Sequence, residues 1–314
     1  MINRRHIRVK VLQIIYAMHQ SGSEDLEKEE KFLFSSLESI QDLYLIVVST
    51  LIEIKKKEEV FLEKASKKHL ATAEDLKPNR KFIANKVLQF LEDNNSLSIA
   101  LENRKINNWS QNDDLILIIL DEIKKSAIYQ NYLADTSSSF EADKKFVADI
   151  FTELIASNEK LYDYLEDFRI TWVDDIPLVN TNLLKQLKHI EEHNGKSFSV
   201  LPLYKDTEDK DFARDLFRKT VLNENDLAKE YIDRTPNWDP ERISEVDTIM
   251  LKMAICEFLK FPSIPIKVTI NEYLEIAKEY ATPKSSIFIN GILDNLVKDF
   301  QKTDKLKKTG RGLM

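Results

Sequence analysis

With 314 residues, 43% of them hydrophobic, the chain has enough core for one large or two ordinary globular domains. Its net charge of −7 excludes a surface built for general nucleic-acid coating, and its longest aliphatic run, Leu115 to Leu120, is far below the ~20 residues of a membrane span. A lone cysteine, Cys256, in an apolar helical register and the absence of a secretion signal point to a reducing cytoplasm.

The first predicted helix opens with Arg4, Arg5, Arg8 and Lys10, and no acid precedes Glu24. Arg4 and Arg8 stand one turn apart with Arg5 beside them, while Val11 and Ile15 face the other way, into a core. Guanidinium forks suit phosphates, and Tyr16 offers a ring to an unpaired base. The same arginine-rich turn also reads as an ordinary solvated face. A second basic cluster, Lys298, Lys302, Lys305, Lys307, Lys308 and Arg311, closes the chain.

Nearly every later segment repeats apolar residues at three- and four-residue spacing, so the fold is expected to be all-α. Lys196 to Leu203 is the one short strand candidate, weakened by Pro202. Trp109, Trp172 and Trp238 recur at near-even spacing. Each follows a phenylalanine (Phe82, Phe146, Phe212), a polar pair (Asn94-Asn95, Asn158-Glu159, Glu224-Asn225) and a leucine (Leu97, Leu161, Leu227). This order predicts a repeated three-helix unit: helix, tight break, second helix, tryptophan-bearing turn, third helix. The acid after each tryptophan (Asp113, Asp174, Asp239) is expected to cap the next helix. The alternative is that serial helices share turn chemistry by chance.

His189-Ile190-Glu191-Glu192-His193 satisfies the spacing of some zinc peptidases, but it stands before Asn194-Gly195, where a helix end and cationic residues are expected anyway. The chain has no Gly-rich phosphate loop, no G-x-S-x-G and no cysteine cluster. It is therefore read as a non-enzyme with no metal and no cofactor.

The last third is the most particular. Asn237-Trp238-Asp239-Pro240-Glu241-Arg242 leads to Met250 through Leu259, then to Pro265-Ile266-Lys267-Val268, Ile270-Asn271-Glu272, Ala277-Lys278 and Phe288-Ile289-Asn290-Gly291-Ile292-Leu293-Asp294. This string, covering about Asp206 to Phe300, resembles the carboxy-terminal subdomain of the NusB transcription antitermination family. Arg4-Arg5-His6-Ile7-Arg8, followed by Leu12-Gln13-Ile14-Ile15-Tyr16, is similar to that family's first helix. About Glu24 to Lys205 is extra. Val9, Lys284 and Ile287 depart from the family pattern, the last two beside the presumed RNA surface.

The resemblance implies a NusB-like helical bundle with additional repeated three-helix units. Region 1–205 is expected to hold the arginine-rich helix at 3–20 and inserted units at about 80–135 and 144–193. A NusB-like domain at 206–302 and a flexible basic tail at 303–314 follow. The implied role is RNA-binding transcription antitermination on ribosomal RNA operons. The implied partners are boxA-like single-stranded RNA, a small-subunit ribosomal protein acting as NusE, and an RNA polymerase complex. Arg4, Arg5, His6, Arg8, Tyr16, Phe288 and Asn290 are the implied RNA contacts. Glu257, Glu272 and Glu275 form the implied protein-docking face. On residues alone, Phe288 is equally a core residue, Asn290-Gly291 a packing mark, and Thr282-Pro283 a helix start. A helical-repeat scaffold that binds proteins and no RNA is the alternative function.

Overall fold

The computed structural model describes residues 1–69, 72–137, 139–192, 198–232 and 243–313. These residues form helices and connecting turns with no strand, so the all-α expectation holds. No helix among them is long and apolar enough to cross a membrane. They gather into two compact units, one of residues 38–203 with Met1, the other of residues 2–37 with 204–314. These units divide the chain differently from the expected 1–205, 206–302 and 303–314. The first helix, Arg4–Ser21, belongs to the carboxy-terminal unit, and the long helix Leu26–Ser66 runs unbroken through the division at position 38.

In the 38–203 unit the two repeat copies share capping and anchoring chemistry. Asn94 caps Asn95–Asn103 by accepting from the Leu97 amide, and Asn158 caps Glu159–Phe168 by accepting from the Leu161 amide. The phenylalanines meet edge to face, Phe82 on Phe146, with centroids 5.9 Å apart. Both tryptophans are buried and donate from Nε1 to serines of the long helix: Trp109 to Ser49 Oγ at 2.9 Å, Trp172 to Ser39 Oγ at 3.0 Å. A large ring thus fixes the entry to each third helix, and its polar corner is satisfied in the core. The third copy places Phe212 on Thr207–Leu222 and Leu227 on Glu224–Ile232, but Trp238 and Asp239 lie outside the described residues.

Two local expectations are corrected. The acids after the first two tryptophans do not cap, and Asp239 lies outside the described residues. Asn112 and Asp175 hold the N-cap positions, neither with a side-chain cap bond, and Asp113 is the first residue of its helix, paired with Lys57 at 2.8 Å. The described part of the strand candidate, 198–203, forms no strand. Its carbonyls at Phe198, Ser199 and Leu201 accept from the side-chain amides of Asn94, Gln186 and Gln41, which replaces a ladder partner.

The basic tail, expected to be flexible, is tied down at Lys305, Lys308 and Thr309 in the 2–37/204–314 unit. Lys308 Nζ donates to the carbonyls of Glu257 and Phe261, both at 3.0 Å, where a helix C-terminus favours a cation. Burial lowers this ammonium to about 8. The Thr309 amide donates to Pro262 O at 3.0 Å, and Gly310–Leu313 form a 3-10 turn. A Cβ at Gly312 would lie 1.9 Å from Pro262 O, so only glycine allows this approach. Gly312→Ala should therefore undock the tail, with the Thr309 amide exchanging its hydrogen roughly tenfold faster in hydrogen-exchange mass spectrometry.

Candidate nucleic-acid interface

The first helix starts where Asn3 accepts from the His6 amide and stops at Gly22, whose φ of 63° turns the chain left-handed. Ile7, Val11 and Ile15 are buried in the 2–37/204–314 unit, which fixes which arginines remain at the surface.

Arg4 and Arg5 stay half-exposed. Arg4 Nε donates to Asp209 at 2.9 Å, with its guanidinium 5.2 Å from the Phe212 ring centre. Arg5 forms a fork with Glu272 at 2.8 and 3.1 Å, and that hydrogen bond holds its guanidinium above its ordinary value. The Arg5–Glu272 pair and the Arg4–Glu208 contact at 3.4 Å lie at the surface, where such pairs contribute about 0–1 kcal/mol, whereas Asp209 is buried. His6, next in the chain, is half-buried, and Tyr16, 39% exposed, is open to solvent.

Arg8 is corrected. It is only 2% exposed and grips Glu257, itself fully buried, at 2.6 and 2.8 Å. Burial disfavours the Arg8 charge, but the charge and hydrogen bonds of Glu257 outweigh it and hold the guanidinium above its usual range. Glu257 also accepts from Tyr273 OH at 2.8 Å and Thr269 Oγ1 at 3.2 Å. Burial, with the Glu257 charge, pushes the Tyr273 hydroxyl well up. Arg8 cannot reach a phosphate and Glu257 cannot dock a partner, because each neutralises the other in the core.

Phe288, 6% exposed, is likewise core, and its neighbour Ile287 is the exposed one. Asn290 is half-exposed, 3.4 Å from Asp294, and Gly291 has open space where a Cβ would stand, so this pair marks no close packing. Thr282-Pro283 lies in the turn before Ser285–Lys302, with Lys284 as N-cap. Glu272 is engaged with Arg5, while Glu275 is half-exposed and paired with Lys278, whose hydrogen bond lowers its carboxyl. In the zinc-like pattern, Glu192 pairs with Lys86 and His193 lies outside the described residues.

One basic row is not announced by any motif. Lys210, Arg214 and Arg218 are spaced one turn apart on Thr207–Leu222, with Lys210 and Arg214 over the Phe34 ring and both arginines paired with Glu30. Their four-residue spacing is the one trace of it in the sequence. The helix begins at the acids that hold Arg4, which brings these charges into the same unit as the first helix.

Residues 181–298 match the NusB family profile, a span that starts within Ile176–His189 and excludes the first helix. A protein of Salinibacter ruber named transcription antitermination protein NusB is 44% identical over 139 residues, covering 42% of this chain and 86% of the relative. Proteins of the same name from Chloroherpeton thalassium and Dictyoglomus turgidum are 38% and 45% identical, over 35% and 28% of this chain and 52% and 62% of their own lengths. Less than half of this chain is matched in each case, and the family profile leaves residues 1–180 unmatched. On the strength of this coverage and identity, the chain belongs to the NusB family.

Proposed function

We propose that this chain is a transcription antitermination factor that binds boxA-like single-stranded RNA together with a small-subunit ribosomal protein of the NusE type, in a complex on RNA polymerase at ribosomal RNA operons. The half-exposed pair Arg4 and Arg5, on the same helix as the open Tyr16 ring, carries the reading. Both guanidinia are partly open to solvent, where a phosphate can approach them, and an aromatic face suits an unpaired base. Glu275 and the exposed Ile287 supply surface for the protein partner.

Filter binding to boxA RNA and to a scrambled control tests the reading. The native chain should prefer boxA. Arg4→Ala with Arg5→Ala should weaken binding by roughly tenfold to a hundredfold, the effect of removing about one or two charge-assisted hydrogen bonds to phosphate. Equal binding of both RNAs, or undiminished binding by the double variant, would return the chain to a protein-only scaffold.

A further inference from the structure

The 38–203 unit carries an open groove of about 420 Å³ that belongs to no assigned site. Its size lies within the ordinary range for small-ligand pockets. One wall is aromatic. Phe168 stacks on Trp172 at 5.5 Å and 19° and tilts against Tyr164 at 6.0 Å and 38°, yet remains 55% exposed, so part of its ring is open to the groove. Arg169 lies over the Trp172 ring at 5.6 Å and has no other partner among the described residues.

The opposite wall is the loop after Asn95–Asn103. Lys105 sits there at φ 55°, a left-handed position that glycine adopts freely and lysine does not. Its amide donates to Glu102 O and the Ile106 amide to Leu101 O, the helix-ending pattern in which glycine is usual. A strained lysine with no ion pair among the described residues, facing a groove, is a feature associated with binding. The carboxamides of Asn107 and Gln111 also line the groove and form no hydrogen bond among the described residues. The lining acid, Asp42, is neutralised by Arg104.

We infer that this groove binds an unpaired nucleotide of single-stranded RNA, with its base on Phe168, its base edge at Asn107 and Gln111, and its phosphate at Lys105 and Arg169. An exposed ring, two carboxamides that both donate and accept, and two cations without an ion pair among the described residues match a base, its edge and its phosphate. The groove is open along the surface, which suits a nucleotide within a strand. The site lies outside the arginine helix and does not depend on its role.

The test uses the full chain carrying Arg4→Ala and Arg5→Ala, so that failure of the arginine-helix reading and failure of this one are separable. A labelled oligouridylate of roughly ten nucleotides is titrated by anisotropy and crosslinked by ultraviolet light with peptide mapping. Crosslinks should fall in peptides spanning 104–112 and 164–172. Phe168→Ala should weaken binding roughly tenfold, the loss of one stacked base. Lys105→Gly should raise the melting temperature while lowering affinity severalfold, a pair of opposite effects that a purely structural lysine does not give. Empty crosslink maps at both peptides, or unchanged affinity in both variants, would overturn the inference. Displacement of the oligomer by an equal nucleotide concentration of uridine monophosphate would overturn it too, in favour of a free nucleotide.

Discussion

Arg8→Ala is expected to destabilise the 2–37/204–314 unit by about 3–5 kcal/mol, the usual cost of leaving one member of a buried ion pair uncompensated. After the substitution Glu257 would keep Tyr273 and Thr269 as donors, but its carboxylate would face no balancing charge within hydrogen-bond distance among the described residues. Arg8→Lys should recover only part of the loss, because a point ammonium cannot reproduce the two-pronged grip on both carboxylate oxygens. Removing both partners, as Arg8→Met with Glu257→Leu, should be far milder than either single change. Urea unfolding measures each case. Cys256 gives an independent readout, since it adjoins Glu257, is fully buried, and has its thiol pushed up to about 12 by burial. It should resist alkylation in the native chain and become labelled as Arg8→Ala opens the core. A variant that lost RNA binding with unchanged stability and an unreactive Cys256 would restore Arg8 to the surface.

The second large effect belongs to the other unit. Trp172→Ala should cost about 3–5 kcal/mol, the range for deleting a fully buried aromatic side chain. Trp172→Phe keeps most of the ring but loses the Nε1 donor to Ser39, so its cost should be smaller, about 1–3 kcal/mol. If the two copies are true repeats, Trp109→Ala and Trp109→Phe should show the same ranking through Ser49. Near-ultraviolet circular dichroism with urea titration of the single variants decides this. A Trp109 series with no cost beside a costly Trp172 series would argue for serial helices that share turn chemistry by chance.

The helical class was legible because it rests on local periodicity, and the family resemblance because the motif strings from Asn237 to Asp294 and from Arg4 to Tyr16 are contiguous in the chain. The sequence did not separate Arg5 from Arg8. The two share one arginine pattern, and what divides them is the partner each finds more than two hundred residues away, Glu272 at a half-exposed edge or Glu257 in the core. A signal was present. Glu257 stands among Met253, Ala254, Cys256 and Phe258, and Arg8 among Ile7, Val9 and Leu12, all buried. A charge in a wholly apolar register is a buried charge, and a buried charge needs a partner. Phe288 stands in an apolar register beside Ile289 and Ile292 and is core like them. The tail docked because Gly312 permits a backbone approach that composition does not announce. The groove of the 38–203 unit was illegible for a different reason, since its walls come from Asp42 and Ile46, 104–112 and 164–172, which only folding brings together.

The salt dependence of RNA binding tests the central claim most directly, namely that Arg4 and Arg5 are the phosphate ligands of the first helix while Arg8 serves the core. Affinity for boxA RNA is measured across a series of salt concentrations for the native chain, Arg5→Ala, and Arg4→Ala with Arg5→Ala. The slope of log affinity against log salt should shrink by roughly 0.7 for each phosphate partner removed from a single strand. Slopes that stay parallel across all three chains would contradict the assignment of these two arginines to RNA.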